Sequence, residues 1–124
     1  MKKILIVEDD PYLVQMEQTL LGAKGYDVSF VATGDEALDA AVTFKPDLIL
    51  MDIMLPGKLD GLEASRDIKG ERTLAHIPII LVSARKDDHE TSLYKANADG
   101  FLFKPFRINE LINVVEACLP KGDS

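Results

Sequence analysis

The chain has 124 residues, which is room for one hydrophobic core and one domain, with a core over about 2–119 and a short polar tail over 120–124. With 47% hydrophobic and 28% charged residues it reads as an ordinary globular protein, and its net charge of -7 argues against direct nucleic-acid binding, because phosphates repel it. The single cysteine excludes an internal disulfide or a multi-cysteine metal site, and the apolar run behind Met1 ends at Val7 before acidic residues, which excludes an export signal and membrane insertion and implies a cytoplasmic location.

Ile4-Leu5-Ile6-Val7 is apolar without alternation and predicts a strand buried on both faces. Asp10 is placed to cap a helix that has Pro11 at its first position, where the missing N–H costs nothing. Leu13, Met16 or Glu17, Leu20 and Leu21 trace that helix, and Gly25 ends it. A shorter strand is expected at Val28 to Ala32, then a helix around Asp35 to Phe44 that buries Ala37, Leu38 and Ala41. Leu48-Ile49-Leu50-Met51 predicts a third strand, and a helix follows from about Gly61 to Arg72.

Pro78 to Val82 predicts a fourth apolar strand. The segment from Asp87 to Asn97 is polar and weakly helical; its run Asp87-Asp88-His89-Glu90 suits a solvated helix start, where the dipole favours negative charge. Phe101-Leu102-Phe103 predicts a fifth strand, and Ile108 to Leu119 a helix with Leu111, Ile112, Val115 and Leu119 on one face. Cys118 lies in that apolar stretch with no basic or histidine neighbour, so it is expected to be a buried structural thiol. His76 and His89 sit in polar surroundings and are expected at the surface. Apolar strands alternating with helices predict an α/β fold, a five-stranded parallel sheet, doubly wound.

In such sheets the functional crevice lies beyond the carboxyl ends of the strands. The first strand is followed by Glu8-Asp9-Asp10, the third by Asp52, the fourth by Ser83-Ala84 and the fifth by Lys104-Pro105. Clustered carboxylates need a cation or protons to be tolerable, and an oxygen-only donor set suits Mg²⁺. A metal beside a carboxylate and an ammonium is a good place to transfer a phosphoryl group, which needs mainly positioning and charge neutralisation. A carboxylate can be the nucleophile, giving an acyl phosphate.

The stretches Ile4 to Asp10, Asp47-Leu48-Ile49-Leu50-Met51-Asp52-Ile53-Met54-Leu55-Pro56-Gly57, Ser83-Ala84 and Phe103-Lys104-Pro105-Phe106 resemble the receiver domains of two-component response regulators over about residues 2–119. The resemblance implies the flavodoxin-like, CheY-like strand order 2-1-3-4-5. It implies Asp52 as phosphoacceptor, Glu8 and Asp9 as the acidic pair, and a Mg²⁺ site completed by Asp52 and the backbone carbonyl of Met54. Lys104 would pair with phosphoryl oxygens, Ser83 would bind the phosphoryl group and carry the switch, and small Ala84 would leave access. Phe101 stands at the switch aromatic, and a cis peptide bond would precede Pro105. Asp10 is read chiefly as a helix cap.

The implied partners are a histidine kinase or a histidine phosphotransfer protein upstream, and an effector protein or output domain downstream; a phosphorylation-dependent dimer is compatible with this, a membrane is not. The domain would be a signalling element and not an enzyme, catalysing only its own phosphorylation and dephosphorylation. A chain ending soon after its last helix fits a stand-alone receiver or one from a longer regulator or hybrid kinase. An aspartyl phosphatase would carry a second Asp where Met54 stands, and Glu8-Asp9-Asp10-Pro11 would repel the phosphate of a flavin. A degenerate docking module is disfavoured because every catalytic group is present.

The chain departs from the receiver pattern in three places. The loop Pro56-Gly57-Lys58-Leu59-Asp60-Gly61 has one extra residue beside the metal site, the stretch between Ser83 and Lys104 is about one residue short, and Phe101 lacks the hydroxyl of the usual Tyr. These changes bear on output and remove no catalytic group. Met54 and Arg85, two residues after Asp52 and Ser83, flank the site and are expected to tune hydrolysis of the aspartyl phosphate.

Overall fold

A strand that is apolar on both faces is stable only when both faces are covered. The computed structural model describes residues 1–84 and 97–120, and in it this requirement is met by helices on either side of one sheet. The strands are β1 (Lys3–Val7), β2 (Asp27–Val31), β3 (Leu48–Asp52), β4 (Ile79–Ser83) and β5 (Gly100–Phe103). All pairings are parallel and the order is β2-β1-β3-β4-β5, as the resemblance implied. The helices among the described residues are α1 (Pro11–Ala23), α2 (Gly34–Phe44), α3 (Gly61–Gly70) and α4 (Ile108–Cys118).

The period of two along each strand divides the core. Leu5, Val7, Ile49, Met51, Ile79 and Leu81 meet Ala37 and Ala41 of α2 and Ala64 and Ile68 of α3. Ile4, Ile6, Leu48, Leu50, Ile80 and Val82 point the other way, onto Val14 and Leu21 of α1 and Leu111 and Val115 of α4. Full burial of each such side chain is worth roughly 1.5–3 kcal/mol. The three central strands are therefore the rigid part of the molecule, and the residues just past their ends inherit that rigidity.

Local signals act as expected at most ends. The Asp10 side chain accepts the Tyr12 N–H at 3.0 Å, Pro11 opens α1, and Gly25 follows the helix with φ 95°. The sequence pattern gives the buried face of α1 only in part: Leu21 and, of the two alternatives, Glu17 are buried, while Met16 is exposed, Leu13 and Leu20 are only half-buried, and Val14, absent from the pattern, is buried. A helix started at Pro11 turns the i, i+3, i+7 row from Val14, and not Leu13, toward the sheet. β2 begins at Asp27 and is only partly buried, because it is an edge strand paired through Lys3–Asp27 to Val7–Val31. α3 stops at Gly70, where Glu71 turns extended.

Cys118 is half-buried rather than buried, since it ends α4 beside the edge strand β5, with Sγ 3.8 Å from the Asp99 carbonyl. Burial raises its thiol pKa, in keeping with an unreactive group. The expected helix from Asp87 falls, but for Asn97, outside the described residues, as do Arg85, His89 and the end of the tail. His76 is exposed as expected. Among the described residues no helix is long and apolar enough to cross a membrane.

Candidate active site

The register brings the strand ends level: Val7 pairs with Met51, Asp52 with Val82, and Ser83 with Phe103. Glu8 continues from β1 with its N–H donated to Val31 O at 3.1 Å, and Ile53 continues from β3 with its N–H on Val82 O at 2.9 Å. Glu8, Asp52 and Ser83 are buried, at 3%, 4% and 1% exposure, while Asp9 and Ala84 are exposed. The four expected acidic and hydroxylic groups thus converge where the sequence placed them, with Asp9 facing solvent.

Asp52 is held by two donors. Met54 N–H donates to Oδ1 at 3.1 Å, and Lys104 Nζ donates to Oδ2 at 3.0 Å. Lys104 also lies 3.1 Å from Glu8 Oε1, so one ammonium bridges the two buried carboxylates. Its own main chain is fixed by an N–H to Ser83 O at 2.8 Å, and the Lys104–Pro105 bond is cis as expected. Glu8 Oε2 in turn accepts the Asp10 N–H at 3.2 Å, so Asp10 serves the helix cap and the pocket through its backbone and side chain together.

The electrostatics follow from burial. Desolvation, then the hydrogen bond and negative charge of Asp52, push the Glu8 carboxyl up to about 7; the Asp10 N–H and Lys104 pull against this. Burial disfavours the Lys104 ammonium, but Asp52 and Glu8 outweigh it and its pKa is raised overall. Glu8, Asp9 and Asp52 can each offer one carboxylate oxygen, all within 4.8 Å of one another. An all-oxygen set of this kind, two members rigid and one solvent-facing, fits a cation such as Mg²⁺ that keeps part of its water shell.

Gly61 sets the closeness of the adjoining loop. A Cβ there would lie 1.9 Å from the Asp52 carbonyl oxygen, and the Gly61 N–H donates to Ile53 O at 2.9 Å. Only glycine lets α3 start against the strand that carries the acid. Met54 is 63% exposed at the rim, and Phe101 is half-buried on the α2–α3 side, its ring centroid 4.8 Å from that of Phe103.

Two residues near the pocket have roles that sequence reading did not assign. Glu17 is 1% exposed on α1, and its Oε1 has no hydrogen-bond partner among the described residues. Burial, then the Glu8 charge, push its carboxyl up to about 8. The signal was a charged residue at helical spacing from Val14 and Leu21. Asp35, in the first turn of α2, accepts backbone N–H groups from Lys58 and Leu59. No local pattern announces that contact, because its donors are main-chain groups of a distant loop.

Against known proteins, the chain matches the response regulator receiver domain over residues 4–116. It is 37% identical over 123 residues to the alkaline phosphatase synthesis transcriptional regulatory protein PhoP of Bacillus subtilis, covering 98% of this chain and 50% of PhoP. It is 33% identical over 123 residues to the DNA-binding response regulator MtrA of Mycolicibacterium smegmatis, covering 98% of this chain and 52% of MtrA. The chain therefore spans about half the length of these curated relatives. The receiver domain of sensor histidine kinase PA1611 from Pseudomonas aeruginosa, solved with a magnesium ion coordinated in its active site cleft, superposes with a TM-score of 0.85 at 35% identity, covering 94% of this chain and 96% of that one. The parallel sheet, the acids at its edge and these matches lead to one conclusion: this chain belongs to the family of response regulator receiver domains, with a phosphoacceptor signalling role.

Proposed function

We propose that Asp52 is the phosphoacceptor of this receiver, and that residues 1–124 act as one signalling domain. The observation that carries the reading is the setting of Asp52: buried at the end of β3, with one oxygen on the Met54 N–H and the other on Lys104. An Asp52 oxygen attacks the phosphorus of a phosphohistidine on a histidine kinase or histidine phosphotransfer protein. The P–N bond breaks, the imidazole leaves, and an aspartyl phosphate remains. Glu8, Asp9, Asp52 and the Met54 carbonyl would hold Mg²⁺, which when bound supplies neutralisation of phosphoryl charge.

Lys104 exchanges its two carboxylate partners for a phosphoryl oxygen, keeping charge balance as the acyl phosphate forms. The Ser83 hydroxyl moves toward the new oxygens, Phe101 repacks behind it, and the surface around β5 and α4 changes for a downstream effector or output domain. Exposed Ala84 leaves a route to the phosphoryl group. The domain works on itself alone and acts in the cytoplasm; a phosphorylation-dependent dimer is one form its output can take. The test is intact mass after incubation with acetyl phosphate. One added phosphate in the wild type, absent without Mg²⁺ and absent in Asp52→Asn, is expected. An adduct retained in Asp52→Asn would reject Asp52 as the acceptor.

A further inference from the structure

The loop from β3 to α3 carries Met54 and contains, between Gly57 and Asp60, the residue read above as extra against the receiver pattern. An added residue costs conformational entropy to order unless something holds it. The loop's ends are fixed locally. Met54 N–H is on Asp52 Oδ1 at 3.1 Å. At the other end Asp60 and Glu63 form a reciprocal capping box, with Glu63 N–H on Asp60 Oδ1 at 2.9 Å and Asp60 N–H on Glu63 Oε1 at 3.1 Å.

Its middle is held from another element. Leu59 N–H donates to Asp35 Oδ1 at 2.9 Å and Lys58 N–H to Asp35 Oδ2 at 3.3 Å, across 24 and 23 residues. Hydrogen bonds to an ionised acceptor are the stronger kind. Asp35 is not needed as the cap of its own helix, because Thr33 Oγ1 already accepts the Glu36 N–H at 3.2 Å. The contact is also close at the backbone: a Cβ on Gly34 would sit 2.5 Å from Leu59 O. The first turn of α2 and the lengthened loop are thus pressed together, with the Asp35 carboxylate reading two consecutive N–H groups.

We infer that Asp35 is a positioning residue for the acidic pocket, clamping the lengthened loop so that the backbone at Met54 stays set against Asp52. This rests on the reading of Glu8, Asp9, Asp52 and the Met54 carbonyl as a Mg²⁺ site. The proposal predicts that the clamp contributes to Mg²⁺ affinity without touching the ion, through its charge-assisted hydrogen bonds to the loop backbone.

The experiment is a Mg²⁺ titration of the full chain followed by backbone amide NMR, on wild type, Asp35→Ala and Asp35→Asn, with amide hydrogen exchange measured before metal is added. Wild type should show saturable shifts around Glu8, Asp9 and Asp52. Asp35→Ala should exchange faster at Lys58 and Leu59 and bind Mg²⁺ more weakly, by less than the roughly 10-fold that loss of a direct outer-shell partner costs. Asp35→Asn, which keeps one acceptor for Leu59 N–H but loses the charge and the acceptor for Lys58 N–H, should recover only part of that loss. Unchanged affinity in Asp35→Ala, or equal weakening in both variants, would overturn the clamp and leave the metal site standing. No shifts in wild type would remove the metal site, and the inference with it.

Discussion

Replacing Glu17 by Leu should make the protein more stable, and by an amount that grows with pH. Glu17 lies on the α1 row with Val14 and Leu21, is 1% exposed, and has a buried oxygen without a hydrogen-bond partner among the described residues. Its carboxyl is pushed from 4.5 up to about 8, first by burial and then by the Glu8 charge. Above the unperturbed value the unfolded chain gives up this proton while the folded chain keeps it until about 8, so the folded state binds more protons throughout that window. Stability from the neutral buried acid is therefore complete below 4.5 and lost as pH rises through 8. At about 1.4 kcal/mol per pH unit, the wild type loses on the order of 2–3 kcal/mol through Glu17 between roughly pH 5.5 and roughly pH 7.5. Glu8 shifts the same way and is present in both proteins, so only its interaction with Glu17 survives in the difference. The variant also relieves an unsatisfied buried oxygen, worth about 1–3 kcal/mol at either pH. Urea unfolding followed by far-UV circular dichroism with divalent ions chelated measures this, since the chain has no tryptophan. If the stability difference between Glu17→Leu and wild type stays constant across the interval to within about 0.5 kcal/mol, Glu17 is not held neutral and the reasoning is wrong.

Three further substitutions probe the scaffold and the pocket. Gly61→Ala places a Cβ 1.9 Å from the Asp52 carbonyl oxygen and should cost about 3 kcal/mol or more while displacing the loop, seen as a lower urea midpoint together with loss of the phosphorylated mass peak. Asp99→Ala removes the acceptor of the Ile79 N–H at 2.8 Å and one of three acceptors of Lys69 Nζ, which keeps the Ala75 and Ile77 carbonyls, and should cost about 1–3 kcal/mol of stability with phosphorylation intact, because the contact lies at the opposite end of β4 from Ser83. Lys104→Met strands the buried carboxylates of Glu8 and Asp52, so thermal melts should show a less stable apo form that saturating Mg²⁺ restores, while acetyl phosphate labelling falls.

Much of this molecule was legible because its information is short-range. Ile4 to Val7 and Leu48 to Met51 have no polar face, so they had to be central parallel strands, and the residues following them had to meet at one edge. Asp52, Glu8, Ser83 and Lys104 could be placed from that rule, and the receiver resemblance then supplied their roles and the strand order. What failed was finer. Leu13 was favoured over Val14 because both are aliphatic and adjacent, and only the starting angle of α1 decides which one meets the sheet. Cys118 looked buried in its own helix, yet burial at a helix end depends on the edge strand beside it.

The contacts that were illegible share a physical cause. Asp35 meets Lys58 and Leu59 through their backbone N–H groups, which every residue but proline carries, so side-chain identity at 58 and 59 encodes nothing about the partner. Glu17 is the reverse case, a residue whose identity conflicts with its place on the apolar face of α1. Such conflicts between local pattern and position tend to fall near functional sites, where stability is given up for a property of the site. Here the acid lies close enough to the pocket that the Glu8 charge raises its pKa and Lys104 lowers it. If Lys104 exchanges its partners on phosphorylation, as proposed, the cost of burying Glu17 changes with it.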